Sequence, residues 1–189
     1  MYFRLGISHI TDLIGYDHIL FIVVLCAAYS LNQWKNILIL VTAFTIGHST
    51  TLVLALFSII LIPIKIIEFL IPITILLTAI ANILQKKDFV NPKHHLFKYM
   101  MALFFGFIHG LGFSNYLKSL LGSETSLIKP LFAFNLGIEL GQLIIVVIIL
   151  ALTALTINLG HARKREWNLV LSGAGLGVSL ILIIERYPF

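Results

Sequence analysis

The stretch "LFAFNLGIELGQLIIVVIILALTALTI" (residues 131–157) decides the fold. Glu139 is its single charged residue. As a helix rising 1.5 Å per residue it outreaches a hydrocarbon core of about 30 Å, so it spans a bilayer with some tilt. Pro130 stands at its first turn, where a missing N–H is tolerated.

Working outward, five further segments are long and apolar enough to cross. They lie within 6–31 and at about 37–58, 63–84, 98–119 and 167–185. Gly15 is expected to divide a short polar leading segment of the first from its main span, and Pro72 to kink the third. The fold class is therefore an all-α polytopic membrane protein, a bundle of six transmembrane helices forming a single domain over 1–189. Composition agrees. The chain is 59% hydrophobic and 11% charged, and no soluble domain hides that much apolar surface. The N-terminus has no basic region followed by a small-residue cleavage site, so the first span reads as retained. The single cysteine, Cys26, excludes an intramolecular disulfide and reads as a small packing residue.

A net charge of +5 does not imply a nucleic-acid partner, because the basic residues sit in short loops where they set topology. One side holds eight Lys and Arg, including Lys86, Lys87, Lys98 and Arg163–Arg165; the other holds five. The richer side belongs in the cytoplasm, which leaves both termini outside. "GAGLG" (173–177) lies inside an apolar helix with no strand before it, so it is not a dinucleotide motif. Gly173 with Gly177, Gly106 with Gly110 and Gly137 with Gly141 are small-xxx-small pairs, suited to close helix packing or to an oligomer contact.

Against this background the ionisable groups stand out, because such groups are rare in spans and face the bundle interior or a watery cavity. His9, Asp12, Asp17 and His18 open the chain; His48 and Ser49 are in the second span, Glu68 in the third and His109 in the fourth. Asn135, Glu139 and Gln142 follow i, i+4, i+7 on the fifth. Counting residues from the outer ends puts His48 and His109 about 14 Å deep, Glu139 about 12 Å, Asp17 and His18 about 8–10 Å and Glu68 about 6 Å. The spans alternate in direction, yet all these groups fall in the outer half to the middle of the membrane. Shared depth points to one site open from outside.

His18, His48, His109, Asp17, Glu139 and His9 are the candidate metal ligands. Glu68, Ser49, Asn135, Gln142 and Asp12 are candidates for supporting or proton-linked roles. Each has a plainer alternative. His9 and Asp12 could cap a solvated end, Glu68 could pair with Lys65, and Asn135 and Gln142 could bond neighbouring helices. His94 and His95 read as solvated loop residues, and His161 and Glu185 as interfacial. Neutral imidazole with carboxylate suits Zn²⁺, Ni²⁺, Co²⁺ or Fe²⁺, and a cysteine-free set argues against Cu(I). Asp17 could ligate, or orient His18 and raise its basicity.

Four ordered motifs, "HITDLIGYDHILF" (9–21), "FTIGHSTTL" (44–52), "FGFIHGLGFS" (105–114) and "FNLGIELGQ" (134–142), resemble those of the HupE/UreJ family, especially its second subgroup. These are small membrane proteins named as hydrogenase and urease accessory factors and taken to be nickel or cobalt permeases. The resemblance covers about residues 6–142. It implies a transition-metal transporter with His9, Asp17, His18, His48, His109 and Glu139 carried over from the matching motifs, in a bacterial inner (cytoplasmic) membrane. The alternative is an intramembrane zinc-dependent hydrolase. Three His and a carboxylate can hold Zn²⁺ with an open position for water, Glu139, Glu68 or Asp17 serving as base and Ser49 as helper. Metal sensing or assembly without turnover is a third reading. A transporter needs a polar path onward to the cytoplasm, and the inner halves of these spans read as almost wholly apolar.

Overall fold

The structure, a computed structural model, describes residues 1–60, 62–85, 92–121 and 127–188, and for 92–94, 115 and 121 the backbone alone. All regular structure among these residues is helical: α1 (Tyr2–Ile10), α2 (Asp17–Ala27), α3 (Trp34–Leu56), α4 (Ile64–Leu84), α5 (Pro92–Leu121), α6 (Ile128–Asn158) and α7 (Lys164–Glu185). Five stretches are long and apolar enough to cross a membrane: Leu31–Leu56, Ile64–Leu84, His95–Ser114, Ile128–Asn158 and Lys164–Glu185. Exposed Leu136, Leu140, Ile144, Val147 and Ile148 form an apolar face on α6, as lipid contact requires.

The opening segment is two helices. Residues 11–16 interrupt it, and α2 is apolar but shorter than a full span. Gly15 lies in the interruption but has no left-handed φ, so glycine's conformational freedom does not cause the break. Local hydrogen bonding marks it instead. The Thr11 hydroxyl donates back to Ile7 O (2.9 Å), and the Asp12 carboxylate accepts from Ile14 N–H (2.9 Å), a turn that competes with helix.

Local signals set the other ends. Gln33 Oε1 accepts from Ser30 N–H ahead of α3, and Glu166 Oε2 from Arg163 N–H at the start of α7. Pro63 precedes α4 and Pro92 opens α5. The run ahead of the span expected at about 98–119, where His94 and His95 read as loop residues, is therefore helical from residue 92. Lys86 and Lys87 of the charge count, and the side chain of His94, lie outside the described residues.

Glycines decide which helices touch most closely. α3 pairs most extensively with α5, followed by α1 with α6 and α4 with α7. A Cβ on Gly47 would meet Leu103 O, one on Gly106 Phe44 O, and one on Gly110 both His48 O and Thr51 Oγ1. Gly6 faces Phe134 O and Gly137 faces Phe3 O in the same way. These helices cross backbone on backbone, the geometry small residues permit. A Cβ on Gly173 or Gly177 would meet nothing within 4 Å, so among the described residues that pair joins no helices. Cys26 is buried, as a packing residue should be.

Candidate metal centre

The two tightest crossings carry the histidines. Gly47 and Gly110 are the sequence neighbours of His48 and His109, so the contact that draws α3 onto α5 also draws these two imidazoles toward one another. The α1–α6 crossing sets His9, in the last turn of α1, beside the start of α2, where Asp17 and His18 occupy the first turn. His9 and His18 rings are 4.7 Å apart, His9 and His48 5.8 Å, His18 and His48 6.0 Å, and His18 and His109 5.1 Å, centroid to centroid.

One ring nitrogen from each of His9, His18 and His48 lies within 4.8 Å of the others. Tetrahedral ligands at 2.0–2.1 Å stand about 3.3 Å from one another, so modest rotamer changes would close the trio on one ion. None of His9 Nε2, His18 Nε2, His48 Nδ1, His48 Nε2 or His109 Nδ1 has a hydrogen-bond partner, although all are buried. Orphaned buried polar atoms are costly. Five in one cluster, all of a type that ligates borderline metals, fit a divalent transition-metal ion.

His109 stands beside this trio with a partner of its own. The Thr74 hydroxyl, whose proton goes to Ile71 O (2.6 Å), lies 3.1 Å from His109 Nε2. The ring N–H therefore donates to Thr74, which leaves Nδ1 as the bare lone pair. This is the tautomer control that metal-site histidines use.

A chamber of about 380 Å³ opens onto the cluster, lined by His9, Asp12, Gly15, Asp17, His18, Glu68, Ile71, His109, Gly112, Phe113 and Arg186. Asp17 Oδ2 accepts from Arg186 Nη1 (2.9 Å), while Asp17 Oδ1 is buried and unpartnered. Glu68 and Asp12 are exposed at the chamber. Pro72 has no N–H, so the Glu68 carbonyl loses its helical partner there. Phe21 and Phe44 pack against the His109 imidazole, with Phe105 beside Phe21. Phe44 and Phe21 are 5.1 and 5.6 Å from the His109 ring, and Phe21 is 6.2 Å from Phe105.

The polar face predicted on α6 turns toward α3. Glu139 accepts from the Thr42 hydroxyl and Gln142 from the Thr45 hydroxyl, both at 2.7 Å. Asn135 Oδ1 is buried without a partner. Glu139, Asn135, Gln142 and Ser49 do not line the chamber, and neither does the fully buried His48, which reaches the site only through His9 and His18. His95, read as solvated, has its Nδ1 3.1 Å from the Tyr29 hydroxyl. Sequence reasoning passed over Thr74 and Arg186. Thr74 is one of many threonines in apolar helices, and Arg186 enters the charge count only as one of the five Lys and Arg on the poorer side. The signal for Thr74 is its position two residues after Pro72 on the span that carries Glu68.

No curated protein and no solved structure matches the chain. A family model described as HupE / UreJ protein matches residues 1–185. That match runs well past the four motifs, to the end of α7 at Glu185. The chain belongs to the HupE/UreJ family.

Proposed function

We propose that this chain is a permease for a divalent transition-metal ion of the nickel, cobalt or zinc type, with its binding site in the membrane and open to the outer side. The carrying observation is the convergence of His9, His18 and His48 with bare, buried ring nitrogens, His9 and His18 in the wall of a chamber and His48 fully buried beside them. Family membership supports metal transport as the task. In this reading α1 and α2 together make one interrupted crossing, giving six in all with both termini outside. Interrupted helices suit ion sites, because the negative carbonyl end of the first half favours a cation. The α1 end carries His9.

Each group then has a task. Asp12 and Glu68 at the chamber draw cations in from solvent. Neutral His9, His18 and His48 take the ion, with His109 Nδ1 beside them. Asp17 supplies anionic charge at the rim, held by Arg186 until an ion competes for it. Thr42 and Thr45 anchor Glu139 and Gln142, which tie α6 to α3 behind the site.

The hydrolase reading draws less support, since a hydrolase needs a free carboxylate poised over a metal-bound water. Glu139 is bonded to Thr42 and Asp17 to Arg186, and Glu68, the remaining candidate base, lines the chamber without joining the histidine trio. The deciding experiment is influx of Ni²⁺, Co²⁺ and Zn²⁺ into liposomes that hold the purified protein and a metal-responsive dye. The expected result is saturable influx of at least one ion, lost in His48→Ala. Tight binding with no influx of any ion would sink the permease.

A further inference from the structure

A transporter needs a second door, and the inner halves of the spans look closed to one. α4 breaks that pattern. Thr74, Thr78 and Asn82 follow i, i+4, i+8, so they stack along one face, and all three are buried. The stack starts at the metal site, where Thr74 meets His109 Nε2 at 3.1 Å. One turn on, the Thr78 hydroxyl donates to Thr74 O (2.8 Å). One turn further, Asn82 accepts from Lys98 Nζ (2.7 Å) and donates to Val24 O (2.6 Å). Threonines in apolar helices commonly satisfy their own backbone, which explains each hydroxyl singly. It does not explain why the series ends on a lysine.

Lys98 is 7% exposed. Its described partners are Asn82 Oδ1 and the face of Tyr29, 5.3 Å from the ring centroid. No carboxylate among the described residues pairs with it. A buried ammonium is expensive without a counter-charge, and stability does not call for it here. Asn168 Nδ2 already bonds Asn82 O, and Arg165 already caps the end of α4 through Ile83 O and Gln85 O. Between chamber and lysine lies a small cavity of about 10 Å³ whose walls include Phe21, Phe105, Thr78, Asn82 and Lys98, near the least that holds one water. Phe21 therefore stands with the His109 imidazole on one side and the lysine pocket on the other, and Phe105 packs beside it.

Building on the permease reading, we propose that the ion leaves the chamber along the α4 stripe Thr74–Thr78–Asn82, and that the Lys98 ammonium seated on Asn82 is the electrostatic plug that closes this route. A divalent ion passing Phe21 would meet a fixed positive charge in a poorly screened environment, where repulsion is strong. The route opens when the ammonium swings off Asn82 toward the basic end of the bundle. Hydroxyl and amide oxygens then replace, one turn at a time, the ligands the ion gives up above.

The test uses the whole chain in dye-loaded liposomes with external Ni²⁺ or Co²⁺, together with equilibrium binding of the same ion in detergent. Lys98→Met should leave binding intact and raise influx several-fold. Lys98→Arg keeps the charge and should hold the route closed to the same degree as lysine. Thr78→Val should bind the ion and lose at least nine-tenths of the influx. A Thr78→Cys, Cys26→Ser chain should react with a small cationic thiol reagent during turnover, a readout that does not require the lysine variants to fold. Wild-type influx in Thr78→Val and Lys98→Met, or a Thr78→Cys thiol inert during turnover, overturns the route while leaving the permease standing. Absence of influx through the unmodified chain overturns the permease, and the route with it.

Discussion

Arg186 Nη1 lies 2.9 Å from Asp17 Oδ2, joining the residue that follows α7 to the first turn of α2 at the wall of the metal chamber. The other Asp17 oxygen is buried and bare, so a residue next to a candidate ligand shares its charge between a fixed cation and the site. Both side chains are partly exposed, at 28% and 13%. Such a pair contributes little to stability, about 0–1 kcal/mol. Its effect on the site follows from sign. Arg186→Gln removes a positive charge from the rim and frees Asp17, and divalent-ion affinity should rise about threefold to fivefold, the scale of a partly exposed pair. Asp17→Asn should lower it. Isothermal titration of both variants measures the shift. Unchanged affinity with a lowered melting temperature would make the pair a structural clasp.

The three glycine pairs separate in a way substitution can read. A Cβ at Gly110 would run into the backbone of His48 and the hydroxyl of Thr51. Neither can yield without moving α3. Gly110→Ala should cost about 1–3 kcal/mol of stability, the usual penalty of overpacking, and should weaken metal binding as His48 and His109 separate. Gly173→Ala meets open space and should raise helix stability by up to about 1 kcal/mol. Thermal melts in detergent with metal stoichiometry distinguish the two. Loss of stability in Gly173→Ala would show a packing partner on that face, such as a second copy of the chain.

Much of this was legible because apolar length and paired glycines are strong signals. The residue 131–157 stretch announced α6, and the Gly106–Gly110 pair announced a close helix contact, though not that α3 is the partner. Three things were not legible. The polar run before Lys98 hid the first turns of α5, because hydropathy cannot separate a loop from a helix end carrying lysines and histidines. Residue depth put His48 and His109 at about 14 Å and His18 at about 8–10 Å, and the closeness of His9 to His18 and His48 appeared only with the α1–α6 packing. The Thr74–Thr78–Asn82 stripe vanished in the average, since threonine is nearly neutral on hydropathy scales and its meaning here depends on Lys98, a residue on another helix.

The bond between Thr74 and His109 makes a separate prediction. Thr74→Val keeps the shape and removes the acceptor of the His109 ring N–H. The imidazole can then carry its proton on either nitrogen, and Nδ1 is no longer held bare toward the cluster. Loss of an orienting partner typically costs about 10- to 100-fold in metal affinity. Thr74→Ser keeps the hydroxyl and should restore most of it. Equal affinity in Val and Ser variants would mean that His109 takes no part in holding the ion.

Acid offers the final test of the imidazole cluster. A ligating histidine must be neutral, so protons compete with metal, and ordinary imidazole titrates near about pH 6.5. Affinity should therefore be full on the alkaline side and fall as pH drops. Because three rings converge, the fall should be steeper than one proton per metal. His9→Ala, His18→Ala and His48→Ala should each remove most binding, since their ring nitrogens form the trio. His109→Ala should bind more weakly but measurably, because its described bond is to Thr74. His161 is exposed and His95 is bonded to Tyr29, so neither substitution should move the curve. Bound metal titrated against pH across this set gives the answer. If the His161 and His95 variants lose the ion while the three buried-site variants keep it, binding is surface chelation and the metal centre is wrong.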